Sequence, residues 1–162
     1  MAGGVHTQDV SHVLRVFNIT QPLLTTSENV VHITNWFLVD HNQAGKVPPG
    51  VDLTSVVGVV DHHTLMADAV AMALPGYVVL RAWGSTCAIV TALYIEYGVS
   101  IPTHVGGCLL SGIVSDTLLF TSPTTTPNDM VMAGVAEQAA GVNATLLATD
   151  LFRAKSNLET FS

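Results

Sequence analysis

Apolar residues along the chain fall into short runs broken by polar stretches, and the spacing inside the runs changes along the sequence. Val10, Val13, Leu14 and Phe17 recur at helical spacing and predict a helix over 7–17, with Asn18 as its stop. A polar stretch, 18–29, comes next. The runs at 35–39 and 56–60 are short and almost continuously apolar, and "YVVL" at 77–80 comes after a Pro75-Gly76 turn. These three read as strands, and 42–54, with Gly45, Pro48, Pro49 and Gly50, reads as a loop between the first two. From residue 84 the pattern is helical. The stretch 84–98 has Ser85 or Thr86 as its cap and Gly98 as its stop, and further helices are predicted over 102–114, 127–140 and 143–155. Pro127 fits a first helical turn and Gly141 a C-terminal stop.

Strands this uniformly apolar, alternating with helices, predict an α/β fold: a parallel sheet with helices on both faces. In such sheets ligands bind beyond the carboxyl ends of the strands. At 162 residues, with no internal repeat, low-complexity tract or linker, the chain is expected to be one domain over 1–162.

Composition narrows the class. Hydrophobic residues make up 49% and charged residues 10%, which favours a buried interior over disorder. No apolar run reaches the roughly 18 residues of a membrane helix: 105–120 contains Asp116, and 69–80 is interrupted by Pro75-Gly76. The start, "MAGGVHTQD", has no basic segment followed by an apolar one, so no secretory leader is expected. Cys87 and Cys108 show no C-x-x-C spacing, which points away from a disulfide scaffold or a zinc knuckle and toward a reduced, cytoplasmic protein. The net charge is −7, and the five bases, Arg15, Lys46, Arg81, Arg153 and Lys155, are scattered. No basic stripe tracks a nucleic-acid backbone, so an anionic ligand would draw its positive charge from elsewhere, such as a metal ion.

Three apolar segments carry acids in the same manner. "NWFLVDHNQ" runs into Asp40, "SVVGVVDHHTL" into Asp61-His62-His63, and "GCLLSGIVSDTLLF" contains Asp116. Each has a plain reading: Asp40 as a cap, and Asp116 paired with backbone or with Arg81 because a lone buried carboxylate is costly. Two adjacent histidines in an extended chain point to opposite sides. His6, His12, His32, His41 and His104 read as surface or core groups, and the cysteines as core. "GST" at 84–86 offers helix N-terminal amides to a phosphate, or a plain cap. Taken together, Asp and His without thiolate suit Mn, Fe, Co or Zn, and Mn best. One aspartate has two oxygens and can bridge two metals about 4 Å apart, which would polarise a phosphoryl group and activate a water.

A resemblance adds to this. "VVDHH" resembles the signature of the DHH phosphoesterase superfamily, and "FLVDHNQ" looks like its second motif. "GCLLSGIVSDTLLFTSPTTTPND" is similar to the stretch that sets apart the manganese-dependent, family II inorganic pyrophosphatases, and the likeness runs through "GSTCAIVTALY" to "LFRAKSNL". The resemblance implies hydrolysis of pyrophosphate to two phosphates by a metal-activated water. It implies two Mn²⁺ ions per site, with Co²⁺ or Mg²⁺ as substitutes, and a homodimer. Asp40 would bridge the metals, and His62 and Asp116 would ligate one of them. His63 would face the substrate, on a phosphate oxygen or the leaving group.

The chain departs from the family in three places. The His-x-x-Pro-Asp-x-Asp strand that opens the family is absent; "HTQD" at 6–9 lacks the proline and the second Asp. The second, basic domain would come after "AKSNLETFS", and Thr64 stands where a basic residue usually succeeds the histidines. A chain lacking the first strand and the C-terminal domain is therefore expected to turn over pyrophosphate poorly by itself. The alternatives are an exopolyphosphatase, a DHH phosphodiesterase, or a catalytically incompetent metal-binding or dimerisation module.

Overall fold

The computed structural model describes residues 7–25, 30 and 32–156. His6, the end of the polar stretch at 26–29 and the tail from 157 lie outside the described residues. The chain divides into two compact units, one spanning Pro22–Ala82 and the other pairing the first helix with the segment from Trp83 onward.

The first unit is a parallel sheet of three strands in the order β1-β2-β3: β1 (Trp36–Val39), β2 (Val56–Asp61) and β3 (Tyr77–Leu80). The register sets Val39 opposite Val60, Val60 opposite Val79 and Asp61 opposite Leu80. Leu38, Val56 and Val59 form its small core, with Trp36, Val47, Val70, Met72 and Leu80 packed around them. Gly58 sits between Phe37 and Tyr77 on the neighbouring strands, and a Cβ there would clash with the Phe37 ring. Glycine at this position lets the two aromatic rings approach to 6.4 Å across the middle strand.

The second unit is helical: α1 (Gln8–Val16), α2 (Thr86–Glu96), α3 (Thr103–Asp116), α4 (Pro127–Ala140) and α5 (Ala144–Ser156). Its core gathers Ala88, Leu110, Ile113, Val114, Ala136 and Ala148, each fully buried. Helix α3 packs on all four of the others. Its approach to α4 requires Gly106, where a Cβ would meet the Ala140 backbone nitrogen at 2.9 Å. Helix α4 opens with a capping box, Thr126 and Asp129 each bonding the other's backbone nitrogen, and Pro127 in the first turn. It closes on Gly141 at φ 67°. The strands and helices therefore fall where the apolar spacing puts them, with α3 running on through Asp116. Among the described residues no helix is long and apolar enough to cross a membrane.

Candidate metal centre

The sheet register brings the first two acids together. Val39 pairs with Val60, and the ladder continues one step as the Asp40 N–H donates to Val60 O at 3.0 Å. Asp40 and Asp61 thus leave adjacent parallel strands at the same, carboxyl end. Asp40 takes φ 66°, a left-handed conformation that aspartate tolerates better than most residues and that ends the strand at once.

Asp61 is fully buried and organises the turn at the end of β2. Its Oδ1 accepts the backbone N–H of His62 at 2.8 Å and of His63 at 3.1 Å, and lies 2.8 Å from Nδ1 of the His63 ring. Its Oδ2 accepts from Asn42 Nδ2 at 2.7 Å. Burial by itself would push the Asp61 carboxyl up; the hydrogen bonds from His63, Asn42 and His62 outweigh it and hold the group below the usual carboxylate range. A carboxylate only accepts, so Nδ1 of His63 carries its proton toward Asp61 and Nε2 is the nitrogen left for other partners. The same turn corrects the expectation that the two histidines point to opposite sides. By bonding both backbone amides, Asp61 curls the chain out of the extended conformation. The two rings then meet edge to face with centroids 4.3 Å apart.

His62 Nε2 lies 3.5 Å from Asp40 Oδ1; the histidine side chain is 18% exposed and the aspartate 56%. Asp40, Asp61, His62 and His63 each offer a ligand atom, all within 4.8 Å of one another. Metal–ligand bonds of about 2 Å can span such a set, and two carboxylates with two imidazoles suit a divalent first-row ion. The donors therefore fit a manganese-type cation. His41 turns its Nδ1 to Val39 O at 3.1 Å, and its buried Nε2 has no hydrogen-bond partner.

Asp116 stands in the helical unit, exposed at the C-terminal end of α3, where Ser85 Oγ donates to its Oδ2 at 2.6 Å. Ser85 is also the cap of α2, accepting from the Cys87 N–H at 3.1 Å. The neighbouring Gly84 amide is taken by the buried Asp129 at 2.8 Å, so the "GST" segment acts as a plain cap. Directly after Asp116 and Thr117, Leu118, Leu119 and Phe120 all take positive φ, at 48°, 50° and 68°. Three consecutive bulky residues in that region are strained. The buried Thr117 holds the turn: its hydroxyl accepts from Phe120 N at 3.2 Å, and its carbonyl from Ser122 N at 2.8 Å.

Asp40, His62 and His63, singled out from the sequence, lie together. Sequence reasoning left Asp61 and Asn42 without a role at the site. The signal for Asp61 was its place as the last residue of an apolar strand; nothing in the linear sequence links Asn42 to it across 19 positions.

No family model matches the chain. Curated relatives from Streptococcus agalactiae, in its serotype Ia and serotype V strains, are each named probable manganese-dependent inorganic pyrophosphatase. They are 34% identical over 160 residues, 99% of this chain but 51% of their own length. The crystal structure of a putative family II inorganic pyrophosphatase from Methanococcus jannaschii superposes with a TM-score of 0.80 at 27% identity, covering 95% of this chain and 52% of that one. The chain spans about half the length of the curated relatives it matches. The resemblance first carried by the Asp-His-His and Ser-Pro-Thr-Thr-Thr segments thus extends along nearly the whole sequence.

Proposed function

We propose, from homology to manganese-dependent, family II inorganic pyrophosphatases, that residues 1–162 form the metal-binding part of an enzyme splitting pyrophosphate into two phosphates. The observation that carries this is the set of Asp40, Asp61, His62 and His63 ligand atoms within 4.8 Å at the ends of adjacent parallel strands. In this reading Asp40 and His62 would hold the metal, with Asp116 as a further ligand. Asp61 has both oxygens engaged by hydrogen bonds, so its role is to position. When bound, Mn²⁺ supplies positive charge to the phosphoryl oxygens and acidifies water.

The protein's own groups do the rest. Asp61 holds the proton of His63 on Nδ1 and orients the ring, leaving Nε2 to accept a proton and, once it carries one, to donate that N–H to a phosphate oxygen. Pyrophosphate hydrolysis takes a proton from the attacking water and returns one to the departing phosphate. His63 Nε2 is the atom of this chain suited to that transfer. Cysteines outside any C-x-x-C spacing support a cytoplasmic protein. Its homodimeric state rests on the family resemblance.

Electron paramagnetic resonance of Mn²⁺ titrated into the chain tests the centre, together with phosphate release from pyrophosphate and from polyphosphate. Asp40→Asn, His62→Gln and Asp116→Asn are each expected to weaken Mn²⁺ binding by at least about tenfold, the scale of removing a ligand or its support. Binding unaffected by His62→Gln would overturn the assignment. Faster release from polyphosphate would transfer the reading to an exopolyphosphatase.

A further inference from the structure

Beside the candidate metal centre lies a cavity of about 440 Å³ lined by Val39, Asp40, His41, Lys46, Pro48 and His63. Two of its walls, Asp40 and His63, belong to the centre itself. Lys46 is the one positive side chain among the lining residues. In the sequence it looks like one of five dispersed bases; the fold carries it to the site across the loop after β1. We propose that Lys46 binds the outer phosphate of the substrate, the phosphate not under attack. The inference rests on the pyrophosphatase reading and adds a positioning residue to it.

Three observations support the role. The first is the placement of the base. Lys46 ends a 3-10 turn, Ala44–Lys46, whose backbone is closed by Lys46 N–H to Gln43 O at 3.1 Å and Val47 N–H to Ala44 O at 3.2 Å. The turn is tied to the next loop by Ala44 N–H to Asp68 O at 2.9 Å and by the Gln43 side chain on the Asp68 carboxylate at 3.1 Å. A base anchored in this way loses less freedom on gripping an anion.

The second is that its charge is unspent. Lys46 is exposed, and among the described residues no carboxylate lies within ion-pairing distance of its ammonium.

The third is charge balance. The centre carries Asp40 and Asp61, which repel an anion. The only other Lys or Arg in the Pro22–Ala82 unit is Arg81. Once metal ions offset the aspartates, Lys46 is the group on the cavity wall able to neutralise oxygens of a second phosphate. A lysine ammonium suits this as a compact point charge with three donors.

Calorimetric titration of the Mn²⁺-loaded chain with imidodiphosphate, a non-hydrolysable diphosphate, and separately with inorganic phosphate tests the proposal. Lys46→Gln is expected to weaken imidodiphosphate binding about tenfold, the scale of a lost hydrogen bond to a charged group. Lys46→Arg should retain most of the affinity. Inorganic phosphate, which has no outer phosphate, should lose much less. Mn²⁺ affinity and thermal midpoint should stay at wild-type values in both variants, because the backbone of the turn makes its own bonds. Added salt should weaken imidodiphosphate binding more in the wild type than in Lys46→Gln. If Mn²⁺ binds normally and Lys46→Gln holds imidodiphosphate as tightly as the wild type, the role of Lys46 is wrong while the metal centre stands. An equal loss in Arg153→Gln, which removes one positive charge from the helical unit, would also overturn it by showing only a net-charge effect. Failure of the wild type to bind Mn²⁺ would overturn the metal reading, and this inference with it.

Discussion

Oδ1 of Asp61 lies 2.8 Å from Nδ1 of His63 while accepting the backbone N–H groups of His62 and His63. One buried oxygen therefore sets both the turn that ends β2 and the ring orientation of the second histidine. Asp61→Asn keeps the shape but places an amide donor against either Asn42 or the His63 N–H. It is expected to lower stability by about 1–3 kcal/mol, read as a shift in the urea midpoint. An unchanged midpoint would mean the network contributes nothing net.

Acid should reveal the same carboxylate. Burial acts to raise the Asp61 carboxyl, but the hydrogen bonds from His63, Asn42 and His62 prevail and leave it lowered. A carboxyl whose folded value is below its unfolded one adds stability above the unfolded value, near 3.9. That stability is lost as pH falls through the folded value. Denaturation curves taken from about pH 5 downward should therefore steepen below about pH 4 in the wild type more than in Asp61→Asn. Parallel curves would show that another carboxylate governs acid unfolding.

Manganese binding should weaken on acidification, since ligating imidazoles must be neutral. Calorimetry at about pH 7.5 and about pH 5.5, which bracket the ordinary histidine range, should show lower affinity at the acid value. His62→Gln should flatten part of that dependence. Equal affinity at the two values would argue against His62 as a ligand.

Two glycines in the helical unit should respond with opposite signs. Gly106→Ala would drive a methyl to 2.9 Å from the Ala140 backbone nitrogen and 3.0 Å from Ala139 Cβ, and should cost about 1–3 kcal/mol through overpacking of α3 on α4. Gly134, exposed within α4, has nothing within 4 Å of its would-be Cβ. Gly134→Ala should stabilise by about 0.5–1 kcal/mol from helix propensity alone. Thermal melts of the two single variants compare them directly.

The elements were legible because their causes are local. Alternation between continuous Val-rich runs and helical spacing marks β1, β2, β3 and helices α1 to α5. Ser85, Pro127 and Gly141 mark ends by satisfying, or having no need to satisfy, terminal backbone groups. Asp40 and Asp61-His62-His63 were legible as strand-end polar groups for the same reason: an apolar run that stops on an acid marks where a strand leaves the core. The chain alone therefore determined its α/β elements and most of the candidate site's residue types.

What the tertiary structure decided is who meets whom. The parallel register, Val39 against Val60, brings Asp40 beside the turn after Asp61, and no local pattern encodes that offset. The buried Asp61 selects which way the His63 ring faces. Its partner Asn42 and the cavity base Lys46 arrive from a loop whose sequence looks like solvent-exposed punctuation. Such groups carry no periodic signal, since their positions depend on loop closure and hydrogen bonding between distant segments rather than on burial of a repeating face. Lys46 shows the difference most plainly: one of five dispersed charges along the chain, it lines the same cavity as Asp40 and His63 in the fold.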